Sequence, residues 1–381
     1  MLNASAPVNT ALSETSGSTL DGMQMPTARR ARMPGVLLAL ALLTACGTSD
    51  GPASTSTTAV STPVGDAPRT VVDGLDAPWS VAFHEGVALI SERDTGRILE
   101  LGADGRTREV TTVAGVEASG EGGLLGIAVH DGYLYAYYTA ADENRVERFR
   151  IGGAPGGFTL ARVEAILAGI PSAWNHNGGR IAFGPDGMLY VTTGDAGRRD
   201  DAQDRNSVAG KILRMTPEGK APQDNPFPGS LVYSYGHRNP QGLAWAGDGT
   251  MYAAEFGQDT WDELNIIEPG KNYGWPQVEG IAGRSGFVDP VQQWDPDDAS
   301  PSGIAIVGDT LFIANLRGER LRVVSTAHPD TAEERFTREF GRLRDVARAP
   351  DGSLWILTNN TDGRGRPADG DDRILRLRVG N

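Results

Sequence analysis

Cysteine is almost absent from this chain. Its single representative in 381 residues, Cys46, excludes an intramolecular disulfide and a cysteine-rich metal site. Lysine is nearly as scarce: Lys211, Lys220 and Lys271 are the whole set, so an anion site here must be built from arginine guanidinium groups. Positive charge is short overall. A formal net charge of −14 argues against nucleic acid or an anionic membrane surface as the partner, though not against a local basic pocket. Long apolar runs are missing too; the run over 36–43 is too short to span a bilayer. What the chain has in quantity is turn formers, 50 glycines and 23 prolines beside only 22% charged residues, which suits many short strands better than helices.

The N-terminal region reads as an export signal. Arg29, Arg30 and Arg32 precede the apolar run, which has the length of a signal-peptide h-region. Leu43-Thr44-Ala45-Cys46 resembles the bacterial lipobox, in which cleavage precedes the cysteine and the thiol is lipidated. A plain secretory signal with an incidental cysteine is the alternative. Residues 1–46 are thus expected to be a signal peptide, with translation starting as late as Met23, Met25 or Met33. Residues 47–66, rich in Ser, Thr, Gly and Pro without apolar periodicity, are expected to be a linker, and 67–381 the globular part. Such a protein is exported and lipid-anchored to the outer face of the cytoplasmic membrane.

From about residue 71 one pattern recurs. A short apolar strand centred on alanine, such as Ile127-Ala128-Val129, leads into a turn, often Asp-Gly as at Asp131-Gly132, Asp186-Gly187, Asp248-Gly249 and Asp351-Gly352. A second apolar strand follows (Leu134-Tyr135-Ala136), then a third with apolar and polar alternating (Lys211-Ile212-Leu213-Arg214-Met215). The central alanines Ala82, Ala128, Ala182, Ala244, Ala305 and Ala347 lie 46, 54, 62, 61 and 42 residues apart. Four-stranded blades need roughly 40–50 residues each, so the third and fourth units carry insertions. The pattern predicts an all-β, six-bladed β-propeller forming one domain, with small residues where six inner strands crowd a central axis. No unit shows a long 3.6-residue period, which excludes a helical solenoid.

The two longest gaps hold the densest polar motifs. Asn175-His176-Asn177-Gly178-Gly179-Arg180 enters the third inner strand, and Asp195 follows the next strand, so a hairpin can set His176 and Asp195 side by side. A carboxylate on one ring nitrogen leaves the other free as a base; a purely structural hydrogen bond satisfies the same spacing. Tyr235-Gly236-His237-Arg238-Asn239-Pro240-Gln241-Gly242 enters the fourth inner strand. Arg238 and Asn239 could meet an oxyanion or carbonyl in the channel, or the loop could bond to itself; His237 reads as structural. Glu255 to Glu263, with Asn272 to Pro276, supplies the hard oxygen donors that calcium prefers, or forms a solvated acidic loop. Arg317, Arg320, Arg342 and Arg344 suggest a ligand with several carboxylates, with ion pairs to Glu319 and Asp345 as the alternative.

Together these motifs resemble the soluble PQQ-dependent glucose/sorbosone (aldose sugar) dehydrogenase family, over about residues 75–378. The resemblance rests on Gly120-Glu121-Gly122-Gly123-Leu124-Leu125-Gly126, the 176–180 run with Asp195, and the 236–244 run. It extends to Asp262-Glu263-Leu264-Asn265, Tyr273-Gly274-Trp275-Pro276 and Gly341 to Val346. It implies a six-bladed propeller carrying PQQ across the top of its channel. His176 would be the general base on the anomeric hydroxyl, oriented by Asp195, with hydride passing to the cofactor to give the lactone. Arg238 and Asn239 would hold the quinone oxygens, and Arg342 and Arg344 the cofactor carboxylates. The carbonyls of Gly257 and Gln258 would hold a catalytic calcium, Ca2+, as Lewis acid, while Glu263 and Tyr273 match a second, structural calcium site. Three departures stand out: Glu121 where glucose-oxidising members carry glutamine near the sugar, Arg317 near a cofactor-contacting lysine, and Gln258 in place of a proline.

The resemblance implies an aldose substrate and an external or respiratory-chain electron acceptor, the lipid anchor implies the membrane, and no nucleic acid is expected; a homodimer stays open. A sorbosone-type dehydrogenase would differ only in the pocket. A non-catalytic propeller lipoprotein binding carbohydrate or protein would keep the blades and could lose the base or the arginines. A calcium-dependent lactonase would need several converging carboxylates at the channel centre, where arginines and a histidine are the visible set.

Overall fold

Regular structure is almost entirely extended. The computed structural model describes residues 67–380, which lie in one compact unit; the expected signal, lipobox and linker fall outside the described residues. Its 24 strands form six four-stranded antiparallel sheets, and the described residues contain one 3-10 turn, Arg199–Ala202, and no α-helix. The inner strands are Pro78–His84, Leu124–His130, Ile181–Phe183, Pro240–Trp245, Pro301–Val307 and Leu343–Arg348, which define blades 1 to 6. Successive inner strands pack on one another and the sixth packs on the first, closing the ring. This is the six-bladed propeller the repeats predict.

Local chemistry explains the blades. Inner strands are buried along most of their length, whereas outer strands such as Thr107–Thr112 expose most positions. The apolar contacts lie between blades: Ala82, Leu89 and Ile98 of blade 1 pack with Leu124, Leu134 and Tyr138 of blade 2. Asp131 and Gly132 both take positive φ, 47° and 73°, the geometry of a two-residue hairpin turn. At the other three Asp-Gly pairs only the glycine does so, and the aspartate instead accepts a backbone N–H two residues on, as from Met188 to Asp186 at 3.1 Å.

The ring is fastened by a strand the repeats do not reveal. Arg69–Val72 pairs with Ile374–Leu377 and becomes the outermost strand of blade 6, so the two ends of the described chain share one sheet.

Two excursions shape the end of the ring where inner strands begin. Residues 194–210 link the second and third strands of blade 3, and buried Lys211 pins them. Its ammonium donates to the carbonyls of Asp201, Ala202 and Ala209 at 2.8, 3.0 and 2.6 Å. Burial pushes this amine down to about 8 from its ordinary 10.5. The unfolded chain therefore binds more protons than the folded one between those values, and stability rises with pH across that window. Lys211→Met removes three donors at once. It should lower the unfolding free energy by about 2–4 kcal/mol and abolish the rise above pH 8 in urea titrations. The second excursion, 268–291 in blade 4, lays Asn272 beside Tyr235 of blade 3 and carries Trp275 to the same end of the ring.

Candidate active site

The hairpin geometry of blade 3 brings His176 and Asp195 together, with Nδ1 to Oδ1 at 2.7 Å. Close backbone approach makes this fit: a Cβ on Gly194 would lie 1.8 Å from the His176 carbonyl oxygen. Asp195 is fully buried, and its other contacts are the Gly197 N–H at 2.8 Å and the Trp275 indole N–H at 2.8 Å. Burial alone would raise this carboxyl, but the hydrogen bond and charge of His176, with the Gly197 and Trp275 donors, hold it below its ordinary value. A carboxylate only accepts, so the proton of His176 sits on Nδ1. Nε2 keeps its lone pair and accepts from the Asn175 amide at 3.2 Å.

Glu121 is the hub of the neighbouring wall. Its Oε2 accepts from the His176 backbone N–H at 3.0 Å and from the Asn239 amide at 3.4 Å, and its Oε1 from Arg364 at 3.3 Å. Asn239 is fully buried, its oxygen taking the Gly178 N–H at 2.9 Å. Arg238 donates to the Phe256 and Gly257 carbonyls, while its Nε is buried with no hydrogen-bond partner. Burial pushes this guanidinium down, and the surrounding carboxylates oppose it. His237 is enclosed between Glu255 and Ser234, at 2.8 Å each, and stacks on Tyr273; it has a structural role, as its sequence context suggests.

Guanidinium groups gather on the far side of the channel. Arg342 pairs with Asp362 at 3.0 Å, and Arg180 pairs with Asp345 at 3.0 Å. Arg180 and Arg344 both approach the Trp79 ring, at 4.4 and 5.6 Å from its centroid. Arg344 is only 3% exposed and bonds to the neutral oxygens of Gln241, Ser302 and Asn359. Among the described residues no carboxylate lies within ion-pair distance of it, and burial pushes it down to about 9. Arg342 Nε and Arg180 Nη2 are likewise buried and unpartnered. These donors suit an anionic ligand rich in carboxylate and carbonyl oxygens, such as PQQ. Arg317 stands apart from them, 61% exposed and paired with Asp297, and Arg320 is taken up by Asp298 and Glu334.

Two places could offer oxygen to calcium. At the first, the Gly257 carbonyl is engaged by Arg238, which would have to swing aside for a cation, and the Gln258 N–H is held by Glu279 at 2.5 Å. At the second, buried Glu263 lies across the strand pair from Glu255. Burial first, then the Glu255 charge, pushes Glu263 up to about 8. The neighbouring Asn265 Oδ1 is buried without a donor, so a hard cation would relieve both groups. Tyr273 sits nearby in sequence, its hydroxyl committed to the Ile266 carbonyl and the Glu268 N–H. Among the described residues no group of three or more His, Cys, Asp or Glu side chains is arranged to hold a metal ion by itself.

Several site residues escaped the sequence reading. Asp362 had a usable signal: the start of an inner strand lies beside the end of the next. That one rule pairs His176 with Asp195, His237 with Glu255 and Arg342 with Asp362, at separations of 19, 18 and 20 residues. Trp275 was read as part of the 273–276 motif, but its contact with Asp195 had no signal, because it reaches that residue from 80 residues away through an excursion of the following blade.

Residues 75–375 match the profile of the family described as Glucose / Sorbosone dehydrogenase. The aldose sugar dehydrogenase YliI of Escherichia coli (strain K12) is 30% identical over 335 residues, covering 76% of this chain and 89% of that protein. Quinoprotein glucose dehydrogenase B of Acinetobacter calcoaceticus is 31% identical over 294 residues, covering 66% of this chain and 61% of its own length. Among solved structures, the PQQ-bound form of an aldose sugar dehydrogenase from Streptomyces coelicolor superposes with a TM-score of 0.79 at 51% identity, covering 84% of this chain and 100% of that one. With the profile matched over nearly the whole propeller, the chain belongs to the glucose/sorbosone dehydrogenase family of sugar-oxidising enzymes.

Proposed function

We propose that this chain is a PQQ-dependent aldose dehydrogenase that converts the anomeric carbon of its sugar to a lactone carbonyl. The observation that carries this reading is a histidine with an unprotonated Nε2 at the same end of the channel as a buried arginine cluster, in which Arg344 is bonded only to neutral oxygens. When bound, PQQ supplies the acceptor for the hydride that leaves the anomeric carbon.

The chain's own residues do the remainder. His176 Nε2 takes the proton of the anomeric hydroxyl, while Asp195 keeps the Nδ1 proton in place and stabilises the imidazolium. Loss of that proton and of the hydride, with its two electrons, leaves a C=O bond at the anomeric carbon. Arg342 and Arg344 would hold the cofactor carboxylates, and Arg238, whose Nε has no partner, would with Asn239 hold its carbonyl oxygens. Calcium held by the Gly257 and Gln258 carbonyls would supply Lewis acidity, and a second ion at Glu263 and Tyr273 would serve structure. The test is dye-linked oxidation of an aldose panel by the full chain, with and without added PQQ and calcium. Turnover that needs both supports the reading, and turnover indifferent to PQQ contradicts it.

The lipobox-like Leu43-Thr44-Ala45-Cys46 supports a lipid anchor outside the cytoplasmic membrane, where electrons could pass to an external or respiratory-chain acceptor. Cys46→Ala should move the protein from the membrane to the soluble fraction of expressing bacteria. Unchanged membrane association in that variant would remove the anchor from the account.

A further inference from the structure

The proposed base belongs to blade 3, yet part of what holds it comes from blade 4. Asp195 Oδ1 takes two donors, His176 Nδ1 at 2.7 Å and the Gly197 N–H at 2.8 Å. Oδ2 takes the Trp275 indole N–H at 2.8 Å and no other donor among the described residues. A carboxylate anchored through Oδ1 alone can turn about its Cβ–Cγ bond and carry that oxygen off the line to the imidazole. A second anchor on Oδ2 stops the rotation. Asp195 is fully buried, and a buried carboxylate oxygen left without a donor is costly, so the indole N–H also favours the ionised form.

Trp275 is itself fixed by polar contacts. It is buried, but among the described residues it joins none of the apolar clusters that hold the blades together. Two guanidinium groups lie over its ring, Arg199 at 4.5 Å and Arg238 at 5.4 Å from the centroid. Its backbone N–H donates to the Gly236 carbonyl at 2.9 Å, and its carbonyl accepts from the Gln203 amide at 2.6 Å. Gln203 and Asn272 exchange a reciprocal pair of amide hydrogen bonds at 3.0 and 2.8 Å, which ties the 194–210 excursion to the 268–291 one. Gly236, at φ 76°, lets these segments close: a Cβ there would lie 2.9 Å from the Gly274 nitrogen.

We propose that Trp275 is a positioning residue for the base: its indole N–H locks the Asp195 carboxylate in the orientation that keeps the His176 proton on Nδ1 and leaves Nε2 bare. The insertion that lengthens the fourth unit thus acts on the base of the third through one hydrogen bond. This rests on the aldose dehydrogenase reading above.

The test removes the N–H and keeps the ring. Benzothienylalanine in place of Trp275 puts sulfur where the indole nitrogen stood, and Trp275→Phe is a smaller side chain that also lacks the donor. The full chain, supplied with PQQ and calcium, is assayed on the aldose panel. The same proteins without PQQ are compared by ¹H–¹⁵N NMR for the tautomer of His176, its signals assigned with His176→Asn. With benzothienylalanine, kcat should fall about 10- to 100-fold while KM and PQQ affinity stay within about threefold, because only the aim of the base is lost. An Nε2–H tautomer should appear beside the Nδ1–H form, and Trp275→Phe should lose at least as much activity. Parent-like kcat with benzothienylalanine overturns the proposal even if Trp275→Phe is impaired, since the ring without its N–H would then suffice. If the parent chain oxidises no aldose, the dehydrogenase reading fails and the NMR comparison decides the positioning role alone. A tautomer change on loss of the N–H then sustains it, and an unchanged tautomer removes it.

Discussion

His176→Asn should lower kcat for aldose oxidation by roughly 10²–10⁴-fold while leaving PQQ affinity within about threefold. Asparagine is the informative replacement. His176 sits at φ 58°, a left-handed conformation that asparagine tolerates better than most residues, so the hairpin should survive. Asparagine cannot take up a proton, so the variant loses the base and little else. His176→Ala should lose as much activity, with some added backbone strain. Asp195→Asn tests the same pair from the other side. An amide NH₂ facing Nδ1 would push the proton to Nε2 and silence the base, an effect of similar size. Because Asp195 is held below the ordinary carboxylate range, the carboxylate partner persists as pH falls through that range, and its contribution to stability, full above that range, declines from there down through the lowered folded value. Normal turnover in either His176 variant would exclude the proposed base.

Arg344→Met should weaken PQQ binding by about 100-fold and leave the fold as stable as the parent or slightly more so. Arg344 is almost wholly enclosed, bonded only to neutral oxygens, and pushed down to about 9 by burial. A buried charge without a carboxylate in contact burdens the folded state, and an apolar chain of similar length removes that burden. The Gln241 and Asn359 oxygens lose a donor in exchange, which offsets part of the gain. A residue whose removal spares stability but abolishes ligand binding is held for the ligand. Charge-assisted hydrogen bonds of about 1.5–3 kcal/mol each make two lost bonds worth two orders of magnitude or more in affinity. Absorbance titration of PQQ and urea unfolding of the same variant give both numbers. Unimpaired PQQ binding would show that Arg344 is part of the channel core alone.

The blades were legible because their signals are local. Alternating apolar strands, central alanines and Asp-Gly turns all act within one hairpin, and so does the His176–Asp195 contact, which links the start of one strand to the end of the next. The fastening of blade 6 by Arg69–Val72 was not legible, since a short strand does not name its partner 300 residues away. The same holds for Trp275, carried to Asp195 by a long excursion, and for Arg364, which meets Glu121 only when the ring closes. The arginines were visible as a cluster, but their pairing was not. Asp345, beside Arg344 in sequence, serves Arg180 instead, while Arg342 is matched by Asp362. Strand alternation sends neighbouring side chains to opposite faces, so adjacency in sequence is a poor guide to partnership here.

The most direct test of the central claim is the rate of dye reduction by the full chain with PQQ and calcium, using glucose and glucose deuterated at the anomeric carbon, with the product identified by NMR. The account predicts glucono-lactone as product, a slower rate with the deuterated sugar, and no turnover when PQQ is omitted. Oxidation at another carbon, or equal turnover without PQQ, would contradict it.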